Sequence, residues 1–227
     1  MDHLETELDA LKQRLLTMAN HAETAVSQAI KALLERDDVL ARQVKESDRV
    51  IDRFEIEIDD MGIGQLIKAR LAADLRLVTV ATKIAHNLER IGDEAAKIAR
   101  RAVDLSGEQP ITVQLDIANM ASLALDMLKT ALNAFGDRDP ALARSVLPRD
   151  NEVDLFNMQT HRILAQFMVE YPDTIQRCLH WMVVSKSLER IADHATNIAE
   201  DVVYLCEGQD IRHTDAKKKR VNEILSR

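Results

Sequence analysis

Apolar residues recur along this chain at alternating steps of four and three. The first run reads Leu4, Leu8, Leu11, Leu15, Met18, Ala22, Ala25, Ala29 and Leu33. The second reads Leu40, Val44, Ser47, Ile51, Phe54, Ile58 and Met61, with one polar lapse at Ser47. The third reads Leu77, Ala81, Ile84, Leu88, Ile91, Ala95, Ile98, Ala102 and Leu105. Such an alternation averages 3.5 residues and keeps one narrow apolar seam on a helix that packs in a bundle. Each run therefore predicts a helix of about 30 residues, roughly 45 Å long. Gly107-Glu108-Gln109-Pro110 then breaks the chain.

The second half copies the first. Residues 29–37 (AIKALLERD) align with 131–139 (ALNAFGDRD), and Asp48 to Phe54 with Asp150 to Phe156, both at an offset of 102. Leu88 to Ala99 aligns with Leu188 to Ala199 at an offset of 100, with eight of twelve positions identical. A two-residue difference therefore lies between the second and third helices of each copy. One folding unit used twice predicts an all-α fold of two tandem three-helix bundles, residues 1–107 and 112–207, with a tail over 208–227. Asp37 and Asp139 stand where N-caps belong, and Pro140 suits a first helical turn. Tyr171-Pro172-Asp173 separates the fifth and sixth helices, while Gly62 and Gly64 weaken the second.

Composition agrees. Apolar residues make up 46 % and aromatics 3 %, with six glycines and four prolines among 227 residues, a profile of long helices rather than strands. No apolar run reaches the roughly 18 residues of a membrane span. The start, Met1-Asp2-His3-Leu4-Glu5, lacks the basic and apolar regions of a secretion signal. Cys178 and Cys206 form no metal-type pair, which suits a reduced, cytoplasmic setting. A net charge of −8 argues against nucleic acid. Lys217-Lys218-Lys219-Arg220 is expected to be a solvated helix end, contact with an anionic membrane surface being secondary.

The candidate chemistry is acidic. Asp48, Asp52, Glu55 and Asp59 form a stripe on the second helix, matched by Asp150, Asp154, Asn157 and His161 on the fifth. Glu89 and Asp93 on the third helix are matched by Glu189 and Asp193 on the sixth. Like charges one turn apart repel by a few tenths of a kcal/mol per pair, a cost that a cation reverses. Carboxylate pairs about 6 Å apart on neighbouring helices can bridge hard or borderline metals. With 38 acidic residues, roughly six i,i+4 acidic pairs are expected by chance, so recurrence in both copies is the signal. The bland alternative is a solvated acidic face.

With Leu88 and Ile91 in the core, Glu89 and Asp93 fall on the outer side of their helix. Ferritin-like di-iron sites point inward and use Glu-x-x-His pairs, and no such pair occurs here. His86 is either an exposed bystander or a further donor beside Glu89. Asn197 and Asp201 continue turn by turn beyond Asp193 and extend the second site, whereas Lys97 and Arg101 take those places in the first copy. Glu89-Arg90 and Glu189-Arg190 are alternatively helix-tying ion pairs. No nucleophile elbow, phosphate loop, dinucleotide fingerprint or His-Glu-x-x-His is present, so nothing argues for an enzyme.

The doubled segment resembles the PhoU family: Asp74-Leu75-Arg76 leading to Leu88-Glu89-Arg90-Ile91-Gly92-Asp93-Glu94-Ala95, and Leu188-Glu189-Arg190-Ile191-Ala192-Asp193 continuing to Asp201. The likeness covers nearly the whole chain. It departs at Ala69-Arg70-Leu71-Ala72-Ala73, where the family often has Gln-Pro, and at Ala192, which stands where the first copy has Gly92. The resemblance implies metal clusters of iron or zinc type, with magnesium or manganese as alternatives, held by Glu89, Asp93, Glu189 and Asp193 and by extension Asp48, Asp52, Asp150 and Asp154. It implies a cytoplasmic, often dimeric regulator acting with the ATPase subunit of a phosphate ABC transporter and the sensor histidine kinase PhoR. Such a protein keeps the phosphate-starvation response off and can associate with the membrane through partners. The competing readings are a metal-free helical scaffold, a ferritin-like metal enzyme, and the helical accessory protein of low-affinity phosphate carriers.

Overall fold

The computed structural model describes residues 3–69 and 71–212. Three long helices, α1 (His3–Glu35), α2 (Asp38–Leu66) and α3 (Ala72–Ser106), pack on one another as the first bundle. The second is built from α4 (Ile117–Asp137), α5 (Pro140–Val146), α6 (Asp150–Glu170) and α7 (Ile175–Glu207), with 3₁₀ turns at Leu147–Arg149 and Pro172–Thr174. No strand occurs among the described residues, and no described helix is long and apolar enough to cross a membrane. Arg70, in the departing α2–α3 turn, and the basic Lys217 to Arg220 run lie outside the described residues.

The periodic seams are the core. Leu11, Leu15 and Met18 of α1, Ile51 and Ile58 of α2, and Ile84, Leu88, Ile91 and Ile98 of α3 are all but sealed from water. Each such side chain contributes about 1.5–3 kcal/mol of burial, set against the entropy of fixing it. The same apolar cluster runs on without a gap through Leu188, Ile191 and Ile198 of α7.

The duplication extends to the turns. Arg36 and Arg138, related by the 102-residue offset, both take the left-handed conformation (φ 58° and 52°). The next residue's N–H then returns to the helix it has just left, Asp37 to Ala32 O (2.9 Å) and Asp139 to Ala134 O (3.0 Å), a six-to-one closure that satisfies an orphan carbonyl. The same aspartates cap the following helices: Asp37 Oδ1 accepts from Leu40 N, and Asp139 Oδ1 from Ala141 N and Leu142 N, all at 2.9 Å.

The expected fifth helix is interrupted. Pro148 has no N–H to give an α-helical ladder, and the chain tightens into the turn Leu147–Arg149 before α6 resumes. In α2, by contrast, Gly62 and Gly64 do not end the helix, which continues to Leu66. Gly62 is buried against α3, where an added Cβ would come 3.0 Å from Thr82 Cγ2.

The bundles join back to back through α3 and α7. Asn87 meets His194, Glu94 meets Ser187, and Arg101 meets His180. Residue numbers rise on one helix as they fall on the other, so the pair is antiparallel about a pseudo-two-fold axis near Ile91 and Ile191. Arg36 pins the linker by donating to the carbonyls of Leu105 (2.5 Å), Ser106 (3.0 Å) and Glu108.

Candidate functional site

The two acidic stripes of each copy come together between neighbouring helices. On the first copy, α2 supplies Asp48, Asp52 and Glu55, and α3 supplies Glu89 and Asp93. Burial raises the Asp48 carboxyl above its ordinary range, and repulsion from Asp52 and Asp93 adds to it. Burial also raises Glu89, with Asp93 and Glu55 adding repulsion against the relief from Arg90 and His86. Arg90 is the built-in cation here, 3.2 Å from Glu89 and 3.5 Å from Asp93.

On the second copy, α6 supplies Asp150 and Asp154, and α7 supplies Glu189 and Asp193. Asp193 is pushed up to about 7 by burial and by Glu189, Asp150 and Asp154, although one flank stays exposed to solvent. Asp154 is raised by burial and by Glu189. The built-in cation is Lys186, 2.6 Å from Glu189. It occupies the place that His86 holds in the first copy.

His86 is a neighbour of the acids. Its Nδ1 lies 3.0 Å from Glu55 Oε1, and one ligand atom each of Glu55, His86 and Glu89 lie within 4.8 Å of one another. The second-copy counterparts of Glu55 and Asp59 are engaged otherwise: Asn157 accepts from Ser185 Oγ at 2.7 Å, and His161 Nε2 lies 3.4 Å from Met182 O. Asp59 projects to solvent one turn further along α2.

Two expected donors lie elsewhere. Asn197 donates to Asn87 Oδ1 at 3.5 Å, and Asp201 pairs with Lys83 at 3.4 Å. Four-residue steps overshoot the 3.6-residue turn, so a stripe drifts around the helix. Two such steps beyond Asp193 carry the side chain off the acidic face and onto α3. Asn197 and Asp201 thus stand on the side of α7 that meets α3.

Residues 15–102 and 117–202 each match the PhoU domain, one copy on each bundle. This chain belongs to the PhoU family. A Pseudomonas putida protein named phosphate-specific transport system accessory protein PhoU homolog is 40 % identical over 215 residues, spanning 93 % of this chain and 84 % of that one. The crystal structure of PhoU from Pseudomonas aeruginosa superposes with a TM-score of 0.86 at 39 % identity, covering 91 % of this chain and all of that one. The phosphate transport system regulatory protein PhoU from Streptococcus pneumoniae superposes equally well at 26 % identity, covering 92 % and 99 %.

The PhoU resemblance implied metal, and the residues suit it. Glu89 Oε2 and Glu189 Oε2 are each buried without a hydrogen bond. Arg90 and Lys186 stand at ion-pair distance from these oxygens, 3.2 and 2.6 Å. At the same place in both PhoU copies a buried carboxylate oxygen has a cation of its own chain beside it, so the place suits positive charge. The donors are oxygens, joined by one imidazole in the first copy, a set for hard or borderline metals. Glu55 and the internal cation Lys186 were not assigned by the motif pairs, whereas the Glu89–Arg90 ion pair was read from the sequence. The stripe containing Glu55 was visible, but only the pairing of α2 with α3 sets it beside Glu89.

Proposed function

We propose that this chain is a metal-binding adaptor of phosphate homeostasis, a negative regulator of the phosphate-starvation response without catalysis of its own. It works in the cytoplasm as a homodimer, docking on the ATPase subunit of a phosphate ABC transporter and on a PhoR-type sensor kinase. The names of its relatives support the transport connection. The observation that carries the reading is the twofold carboxylate cluster, Asp48, Asp52, Glu89 and Asp93 in one copy and Asp150, Asp154, Glu189 and Asp193 in the other.

These eight residues would hold the metal, with Glu55 and His86 added in the first copy. Iron or zinc, or alternatively magnesium or manganese, would supply positive charge that offsets the repulsion between facing helices. Arg90 and Lys186 do part of that work from within the chain. With repulsion offset, α2 stays registered on α3, and α6 on α7, so the outer faces keep one shape for a partner. Apolar side chains left exposed to water, Ile63, Ile67 and Leu71 at the end of the first bundle and Val169 and Tyr171 at the end of the second, suit such docking.

Elemental analysis of the purified protein tests the metal. The wild type should carry iron or zinc, and alanine at Glu89, Asp93, Glu189 and Asp193 together should remove it. Unchanged metal content in that variant would reject the assignment. In cells, loss of the chain should switch on a phosphate-starvation reporter while phosphate is plentiful. A metal-free scaffold is the second reading, favoured by the ion pairs of Arg90 and Lys186; it predicts wild-type protein without stoichiometric metal.

A further inference from the structure

The first bundle carries a basic recess on the other side of Asp48 from Asp52. A cavity of about 330 Å³ opens between the start of α2 and the last turns of α3. Ala41, Ala99 and Val103 form its floor, and Arg42, Lys45, Arg100 and Arg101 its walls, with Asp104 the one carboxylate among them. Four cations against one acid is unusual on a chain whose net charge is −8. Part of this charge is engaged: Arg42 pairs with Asp38 at 2.7 Å, and Arg101 with Asp104 at 3.2 Å. Arg100 acts at a distance on Asp48. Lys45 makes no ion pair or hydrogen bond with the described residues and stands exposed.

The second copy is an internal control. There the small floor is retained as Ala143, Ala199 and Val203, all buried. The walls are not: Leu147 replaces Lys45, and Glu200 and Asp201 replace Arg100 and Arg101. The arginine that remains, Arg144, is clamped by Glu207 through two contacts of 2.6 Å. One architecture has thus been charged in opposite senses. Only the first copy keeps a recess in which cations outnumber their partners and face a common space.

We infer that this recess binds a small anion of the phosphate class, either free phosphate or the phosphate end of a small metabolite. Guanidinium forks present parallel N–H donors that match the oxygens of a tetrahedral oxyanion, and Lys45 adds a movable point charge. A cleft in which one sign of charge predominates concentrates the opposite ion even on a protein repulsive to it overall. Its volume lies at the small end of ligand pockets, larger than one phosphate needs. The inference stands apart from the metal reading, because none of its residues is a carboxylate of the two clusters.

Equilibrium dialysis of the full chain in EDTA provides the test, with inorganic phosphate, pyrophosphate and AMP as separate probes. One saturable site per chain is expected, and the tightest probe identifies the source of the phosphate group. Arg100→Ala and Lys45→Ala, both at exposed positions, should each weaken binding by about tenfold or more, the usual effect of losing one charged contact. Arg144→Ala and Glu89→Gln should leave it unchanged. Absence of saturable binding by all three probes at millimolar concentration overturns the inference. So does binding indifferent to Arg100 and Lys45, or lost equally with Arg144.

Discussion

Ser187 Oγ donates to Glu94 Oε2 at 2.7 Å, across the junction where α3 of the first bundle meets α7 of the second. Arg190 and Lys97 donate to Oε1 of the same carboxylate at 3.1 and 2.8 Å. Burial by itself would raise Glu94; the three donors hold it below the ordinary glutamate range. Glu94→Ala leaves Ser187 unpaired inside the junction and should cost about 2 kcal/mol in urea unfolding. A depressed carboxyl contributes stability above its unfolded value of 4.5, lost as pH falls through its folded value. The gap between wild type and Glu94→Ala should therefore close on acidification; a gap independent of pH would refute the charged role.

The seams made this fold legible. Leu11, Ile51 and Leu88 stand in the core because a 3.5-residue period leaves them nowhere else to go. The copies were legible too, since duplicated residues keep duplicated jobs, as Asp37 and Asp139 do in capping. Glu94 was quoted in a motif without being given a task. Two of its three partners, Ser187 and Arg190, sit more than 90 positions away on a helix whose pairing with α3 is set by the packing of two whole bundles, which periodicity within one helix does not encode. The break at Pro148 had its signal in the proline itself. That Asn197 and Asp201 meet α3 was not legible, because a stripe in four-residue steps drifts around its helix and spacing alone does not say which neighbour it reaches.

The left-handed arginines give opposite expectations. Left-handed backbone costs a residue with a Cβ about 1 kcal/mol relative to glycine. Arg138→Gly should therefore stabilise by about 0.5 kcal/mol, part of the gain being returned to the unfolded chain. Arg36→Gly gains the same relief but loses the three carbonyls that end α3, and should destabilise by about 1 kcal/mol. Thermal unfolding of both variants decides; shifts of the same sign would deny Arg36 its hold on the linker.

Gly92 separates α3 from the first acidic stripe. A Cβ there would lie 2.9 Å from Ile51 Cδ1 and 3.2 Å from Asp48 Oδ1. Alanine in a helix is worth about 1 kcal/mol over glycine, and displacing Ile51 uses a similar amount, so Gly92→Ala should change stability by less than about 1 kcal/mol. Asp48 must move, however, so zinc affinity at the first cluster should fall several-fold. The second cluster already tolerates Ala192, and Ala192→Gly should leave zinc binding alone. Equal affinity in wild type and Gly92→Ala would show that Asp48 is not a ligand.

Asp193 makes metal-free protein sensitive to pH in the direction opposite to Glu94. Its folded value of about 7 exceeds the unfolded 3.8, so between these values the folded chain keeps a proton that the unfolded chain releases. Stability must then fall as pH rises from about 4 to about 7 and level off above. In EDTA, the urea midpoint of the wild type should exceed that of Asp193→Asn by least, or trail it by most, near pH 8, with the deficit shrinking toward pH 5. Zinc should reverse the order at pH 8, because a bound cation favours the ionised carboxylate that asparagine lacks. If the two proteins kept a constant difference from pH 5 to 8, the crowding of Asp193 by Glu189, Asp150 and Asp154 would have no energetic consequence, and the second cluster would be only a solvated face.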